Sequence, residues 1–160
     1  MRDLLKYARE CEALLDALKI KYSKNIRYTV NRRAQSRLGL CKKQGGRYTV
    51  EISSKLLDER TSEQTLIETI LHEQLHTCYG CMKHTGRWKL LAQRVNDAFG
   101  FSVARTADED SIPEDMLPKP KYIVRCRGCG LELPRQKLSP LVKHPERYRC
   151  AKCGGKLTVT

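Results

Sequence analysis

Apolar residues recur at three- and four-residue spacing in three stretches of the chain. Residues 2–20 carry Leu4, Leu5, Ala8, Cys11, Leu15 and Leu18 on one stripe, which predicts an amphipathic first helix. Leu66, Ile67, Ile70, Leu71 and Leu75 predict a second helix from about Ser62 to Cys78, with Thr61 and Gln64 spaced as a capping box at its start. Trp88, Leu91, Ala92 and Val95 predict a third helix from about Thr85 to Phe99, ended by Gly100. Between the first two helices the pattern changes to period two. Ile26–Val30, Arg37–Cys41 and Arg47–Ile52 read as strands, and Gln44-Gly45-Gly46 as a hairpin turn. Phe101–Arg105 reads as a further short strand. Residues 106–120, TADEDSIPEDMLPKP, are acidic and hold three of the six prolines, the composition of a linker. Tyr122–Arg125, Arg147–Arg149 and Lys156–Val159 predict the strands of a small terminal module. The fold class is α+β: helices with a small, mostly antiparallel sheet over residues 1–117, then a β-rich module over 118–160.

The helix at 62–78 carries His72, Glu73 and His76 in the pattern His-Glu-x-x-His. Residues four apart share a helix face, so both imidazoles can reach one Zn²⁺. Glu73, offset by one position, can take a proton from metal-activated water. The plainer alternative is a helix that happens to carry two histidines. A catalytic zinc needs a third protein ligand, and His84 is the best candidate. A straight helix would carry His84 about 18 Å from His72 along the axis, so the chain must turn back, and Gly80 can supply the turn.

Cysteine usage points to a second metal. Cys126-x-x-Cys129 and Cys150-x-x-Cys153 are separated by 20 residues, a zinc-ribbon spacing whose four thiolates close the coordination shell and make this zinc structural. Disulfides are the alternative, disfavoured without signs of secretion. Cys78-x-x-Cys81 follows its helix, whereas a thioredoxin-type pair precedes one. Packing beside the histidines is the favoured reading, over a redox pair or an alternative metal site.

Charge adds a candidate partner. The 160-residue chain has a formal net charge of +13, and residues 118–160 hold 11 basic side chains against 2 acidic ones. Such a module attracts polyanions. Arg125, Arg127, Arg147, Arg149 and Lys152 are its candidate nucleic-acid contacts. Tyr122 is open between stacking on bases and packing; Tyr148 is read as packing. From Lys19 to Arg47 there are ten basic residues and no acid; this is either a solvated sheet face or a second nucleic-acid-facing patch. No stretch approaches the ~20 apolar residues of a membrane helix, and the acids in the first helix argue against a targeting segment, so the expected setting is cytoplasmic.

His72-Glu73-Gln74-Leu75-His76, His84-Thr85-Gly86-Arg87-Trp88, Val95-Asn96 and the C-terminal cysteine ribbon together resemble the SprT-like family of zinc metallopeptidases, which includes the Spartan-type DNA–protein crosslink proteases. The resemblance covers nearly the whole chain. It implies a zincin-like domain with one catalytic zinc on His72, His76 and His84, Glu73 as general base, a structural zinc in the ribbon, and a substrate that is protein bound or crosslinked to DNA. It also places a strand near the site, for which Tyr48–Ile52 is the candidate; an internal strand paired on both edges is the alternative. The expected function is a zinc-dependent endopeptidase. Its rivals are a basic nucleic-acid-binding regulatory module with a non-catalytic metal site, and a hydrolase of non-peptide amides using the same metal chemistry.

Overall fold

The structure is a computed structural model describing residues 1–106 and 111–160. It divides into two compact units, Met1–Leu117 and Pro118–Thr160. Of the acidic linker expected at 106–120, residues 107–110 lie outside the described residues.

The first unit is built around one helix. Helix α1 (Leu4–Ala17) starts where the Asp3 carboxylate accepts from the backbone N–H groups of Leu5 and Lys6, and buries Leu4, Ala8, Cys11 and Leu15. Helix α2 (Glu63–Leu75) is buried nearly all round, through Leu66, Ile70, Leu71 and Leu75 and also the polar Thr65, Thr69, Glu73 and Gln74. Its cap differs from the expected box. Ser62 accepts from the Thr65 N–H, while the Thr61 hydroxyl donates to the Lys55 carbonyl at 2.7 Å. The preceding short 3₁₀ turn, Ser54–Leu57, claims Thr61 and shifts the start by one residue. Helix α3 (Gly86–Phe99) buries Trp88, Ala92 and Val95 and stops at Gly100, in the left-handed conformation at φ 70°.

Strands β1 (Ile26–Asn31), β2 (Gly39–Gln44) and β3 (Arg47–Ser53) form one sheet in the order β1-β3-β2. The β2–β3 hairpin turns through Gly45 and Gly46, both at positive φ, as a two-residue hairpin matched to strand twist requires. β1 pairs with β3 in parallel, Ile26 opposite Tyr48, and β2 pairs antiparallel, Gln44 opposite Arg47. The sheet is thus half parallel rather than mostly antiparallel, because residues 32–38 carry the chain past β3 before β2 returns. This also corrects the position of Tyr48–Ile52. That strand is central and paired on both sides; β1 and β2 are the edges. Helices cover one face of the sheet, over Val50 and Ile52, both fully buried.

Gln74 ties the layers together. Its amide donates to the Ala8 carbonyl on α1 at 2.9 Å and to the Tyr28 hydroxyl on β1 at 2.9 Å. Tyr28 in turn donates to Glu12 at 2.7 Å.

Phe101–Arg105 is not a strand. Side chains take its backbone groups instead: Asn96 bonds both the N–H and the carbonyl of Val103, and Glu68 accepts from the Ser102 N–H. In the second unit β4 (Tyr122–Cys126) lies between β5 (Glu132–Arg135) and β6 (Leu157–Val159) in an antiparallel sheet. β5 contains Pro134 and sits at the edge, where a missing N–H is tolerated. The expected strand at Arg147–Arg149 is a 3₁₀ turn, Pro145–Arg147, and a single bridge from Arg149 to Lys156. A short helix α4 (Pro140–Lys143) contributes Val142 to the unit's small core. No helix among the described residues is long and apolar enough to cross a membrane.

Replacing Gln74 by Leu keeps its volume but strips the donor from two buried partners. Urea unfolding should show a loss of about 1–3 kcal/mol; unchanged stability would mean the amide is not what joins α1, α2 and β1.

Candidate metal centre

Three imidazoles meet at the C-terminal end of α2. His72 lies in its last turn and His76 caps it. The chain then turns at Gly80, φ 71°, and brings His84 back just before α3. The Nε2 atoms of His72, His76 and His84 lie 2.8, 3.1 and 3.2 Å apart. Tetrahedral ligands at zinc–nitrogen distances of 2.0–2.1 Å would be about 3.3 Å apart, so the triangle fits one ion.

The outer nitrogens say what the inner ones must be. His72 Nδ1 is 2.7 Å from the Ala104 carbonyl and His76 Nδ1 is 2.7 Å from the Cys81 carbonyl. A carbonyl only accepts, so both Nδ1 atoms carry the proton and both Nε2 atoms present lone pairs. Lone pairs converging on one point repel unless a cation sits there. Burial pushes the pKa of His72 down to about 4 and lowers those of His76 and His84, so the rings stay neutral and ready to ligate near pH 7. Trp88 is the floor beneath them. Its ring centre lies 4.8, 5.7 and 4.7 Å from those of His72, His76 and His84.

Glu73 lies under the edge strand β2, against Gly39. A Cβ on Gly39 would lie 2.6 Å from Glu73 Oε1 and 2.9 Å from Thr69 Cγ2, so only glycine lets β2 approach α2 this closely. Burial pushes the Glu73 carboxyl up to about 8, against the opposing pull of Arg37 and a hydrogen bond from the Cys41 backbone. That value belongs to the metal-free site; a divalent cation on the histidines would draw it down. Glu73 and the histidines line an open cleft of about 940 Å³, walled by Arg37–Cys41 on one side and Ser102–Thr106 on the other.

Cys78 and Cys81 are buried and form no disulfide, and burial pushes Cys78 up to about 12. Neither is in the histidine cluster. The role of Cys81 at the site belongs to its backbone carbonyl.

The second cluster joins Cys126, Cys129, Cys150 and Cys153, whose sulfurs all lie within 4.8 Å of one another. Cys126 and Cys153 are 3.4 Å apart, Cys129 and Cys150 3.7 Å, near the ~3.8 Å of a tetrahedral Zn–thiolate site. The Gly128 and Gly155 N–H groups donate to the Cys126 and Cys153 sulfurs. A Cβ on Gly155 would come within 2.8 Å of the Cys126 sulfur. Backbone donors from Cys129 and Gly128 lower the pKa of the Cys126 thiol while the neighbouring sulfurs raise that of Cys153, so the cluster titrates as one unit rather than as four separate thiols. Both donor sets suit zinc.

The five basic residues proposed for nucleic acid, Arg125, Arg127, Arg147, Arg149 and Lys152, are all exposed. Arg125 is committed in part to Glu132 at 2.8 Å. Tyr122 packs on the unit's core, whereas Tyr148, read as packing, is 40% exposed. The sequence reading missed Gly39 and the carbonyls of Ala104 and Cys81. An isolated glycine inside a strand pattern was the available sign of the first; a carbonyl leaves no mark in sequence.

The SprT-like family matches this chain over residues 8–107. The "Protein SprT-like" of Bacillus subtilis (strain 168) is 32% identical over 124 residues, covering 71% of this chain and 73% of that protein.

Two tests follow from Glu73. In metal-free protein its carboxyl holds a proton between about pH 4.5 and 8 when folded but not when unfolded, so stability falls as pH rises through that window. Unfolding followed by the one tryptophan should show wild type losing ground to Glu73→Gln from about pH 4.5 to pH 8; parallel curves would mean an ordinary carboxyl. Gly39→Ala should cost about 1–3 kcal/mol from overpacking, while Gly86→Ala, with nothing within 4 Å of its added Cβ, should be neutral or stabilising.

Proposed function

Because the chain belongs to the SprT-like family, we propose that it is a zinc-dependent metalloendopeptidase of zincin-like fold acting on DNA-associated or DNA-crosslinked protein. Residues 1–117 are its catalytic domain and 118–160 its zinc ribbon, joined by the acidic stretch at 106–120. The observation that carries the reading is the convergence of His72, His76 and His84 on one point, with Glu73 beside them in the wall of an open cleft.

His72, His76 and His84 would hold the ion, and zinc there supplies Lewis acidity, which activates water near neutral pH and polarises a carbonyl. The chain's own residues do the rest. Ala104 and Cys81 fix two of the imidazoles by their carbonyls. Glu73, buried against Gly39 of β2, accepts the proton of the attacking water and delivers it to the leaving amide nitrogen. Among the strands, β2 is the one with an open edge on the cleft, so it takes the substrate-holding role expected of Tyr48–Ile52: an extended peptide adds to it as a further strand.

The ribbon's closed four-cysteine site is structural. Its 11 basic side chains against 2 acidic ones support recruitment to DNA through Arg125, Arg127, Arg147, Arg149 and Lys152.

Glu73→Gln should keep both metals and the fold while cleavage of an unfolded or DNA-bound protein falls at least about a hundredfold. Turnover retained in that variant would overturn the mechanism. A wild type that binds DNA, holds both metals and leaves every protein intact would favour a binding module instead.

A further inference from the structure

The helices cover only one face of the β1-β3-β2 sheet. Strand register assigns the other. Tyr28, Val50 and Cys41 stand in one row across the sheet and point at the helices. The neighbouring row, Arg27, Thr49 and Lys42, therefore points outward. So does Arg47, two residues before Thr49. Arg27, Lys42 and Arg47 are exposed and Thr49 is half-buried. The outward acid on this face, Glu51, is already neutralised: it accepts from Lys42 at 2.6 Å and from Asn31 at 3.3 Å. Among the described residues, Arg27 and Arg47 make no ion pair. Arg32 and Arg33, on the loop that leaves β1, add exposed charge at the sheet's end.

We propose that this outer sheet face is a nucleic-acid contact surface of the first unit, additional to the ribbon, on which Arg27 and Arg47 bind backbone phosphates. Charge complementarity identifies the occupant. The surface is hydrogen-bonding and cationic. Besides Glu51, its outward positions hold threonine, serine, asparagine, glutamine, arginine and lysine, with Leu40 half-buried among them and no aromatic residue, so it offers phosphates partners and bases no stacking platform. An acidic polypeptide would be drawn by the same charge, but beyond Leu40 the face offers it no apolar anchor of the kind that carries protein–protein affinity. Location gives the surface a use. β2 carries Lys42 on this face, while its Gly39 lies against Glu73. A duplex on the sheet would therefore run beside the cleft and present a DNA-bound protein to it. That consequence rests on the peptidase reading; the binding surface does not.

The test uses the full chain and a fluorescent DNA duplex, with affinity measured by anisotropy across a salt series. Arg27→Gln/Arg47→Gln leaves the Lys42–Glu51 pair intact and touches no buried group. It should weaken binding roughly tenfold at about 0.1 M salt and reduce the slope of log affinity against log salt by about 2. Zinc content and cleavage of a DNA-free unfolded protein should not change. An unchanged slope, with the loss confined to Arg127→Gln/Lys152→Gln in the ribbon, would overturn the proposal. Polyglutamate competing as well as DNA of equal charge would also overturn it, by showing a surface for acidic protein. Absence of cleavage in the wild type would remove the peptidase reading and leave the binding comparison intact.

Discussion

Three imidazole Nε2 atoms converge on one spot, and the packing of the first unit holds them there. The Nε2 atoms are at most 3.2 Å apart. In water such rings would turn away from one another. Here two are held from behind by the carbonyls of Ala104 and Cys81, and Trp88 closes the space beneath all three. The repulsion stored in this arrangement is relieved by a cation, and by little else of that size. Folding of the unit and affinity for metal are therefore two aspects of one free energy.

That arrangement depends on α2 being immobile. Thr65, Thr69, Glu73 and Gln74 are polar and buried on it, which is costly unless each is satisfied. The Gln74 amide nitrogen reaches α1 and β1, while its Oε1 is buried without a hydrogen-bond partner among the described residues, and the Thr69 hydroxyl returns to the Thr65 carbonyl at 2.8 Å. Glu73 is the one whose burial runs against its charge, and it lies against the glycine of an edge strand. A buried carboxyl with a raised proton affinity beside an open cleft is the combination in which perturbed groups cluster at functional sites.

Much of this was legible in the chain. The period of the apolar residues located α1, α2 and α3, because each buries a stripe whose spacing the helix dictates. Gly45-Gly46 announced its hairpin, and Gly80 its turn, since both need positive φ. The two Cys-x-x-Cys pairs announced their cluster. What failed was non-local. Nothing within Tyr48–Ile52 says that β1 and β2 will flank it; that follows from the path of residues 32–38. Phe101–Arg105 has a strand's composition, but Asn96 and Glu68 reach its backbone groups first. β5 hid behind Pro134, and the Thr61 cap was lost to a competing acceptor at Lys55. Tyr148, expected inside so small a module, stays outside it.

The account rests on two separate metal sites, one made by histidines and one by cysteines. The direct measurement is metal content by mass spectrometry of wild type, His76→Ala and Cys126→Ser/Cys129→Ser. Two zinc ions per chain in the wild type, and one in each variant, is the predicted result. One ion in the wild type, lost only with the cysteines and not restored to two by added zinc, would mean that the converging imidazoles do not hold a metal, and would contradict the account.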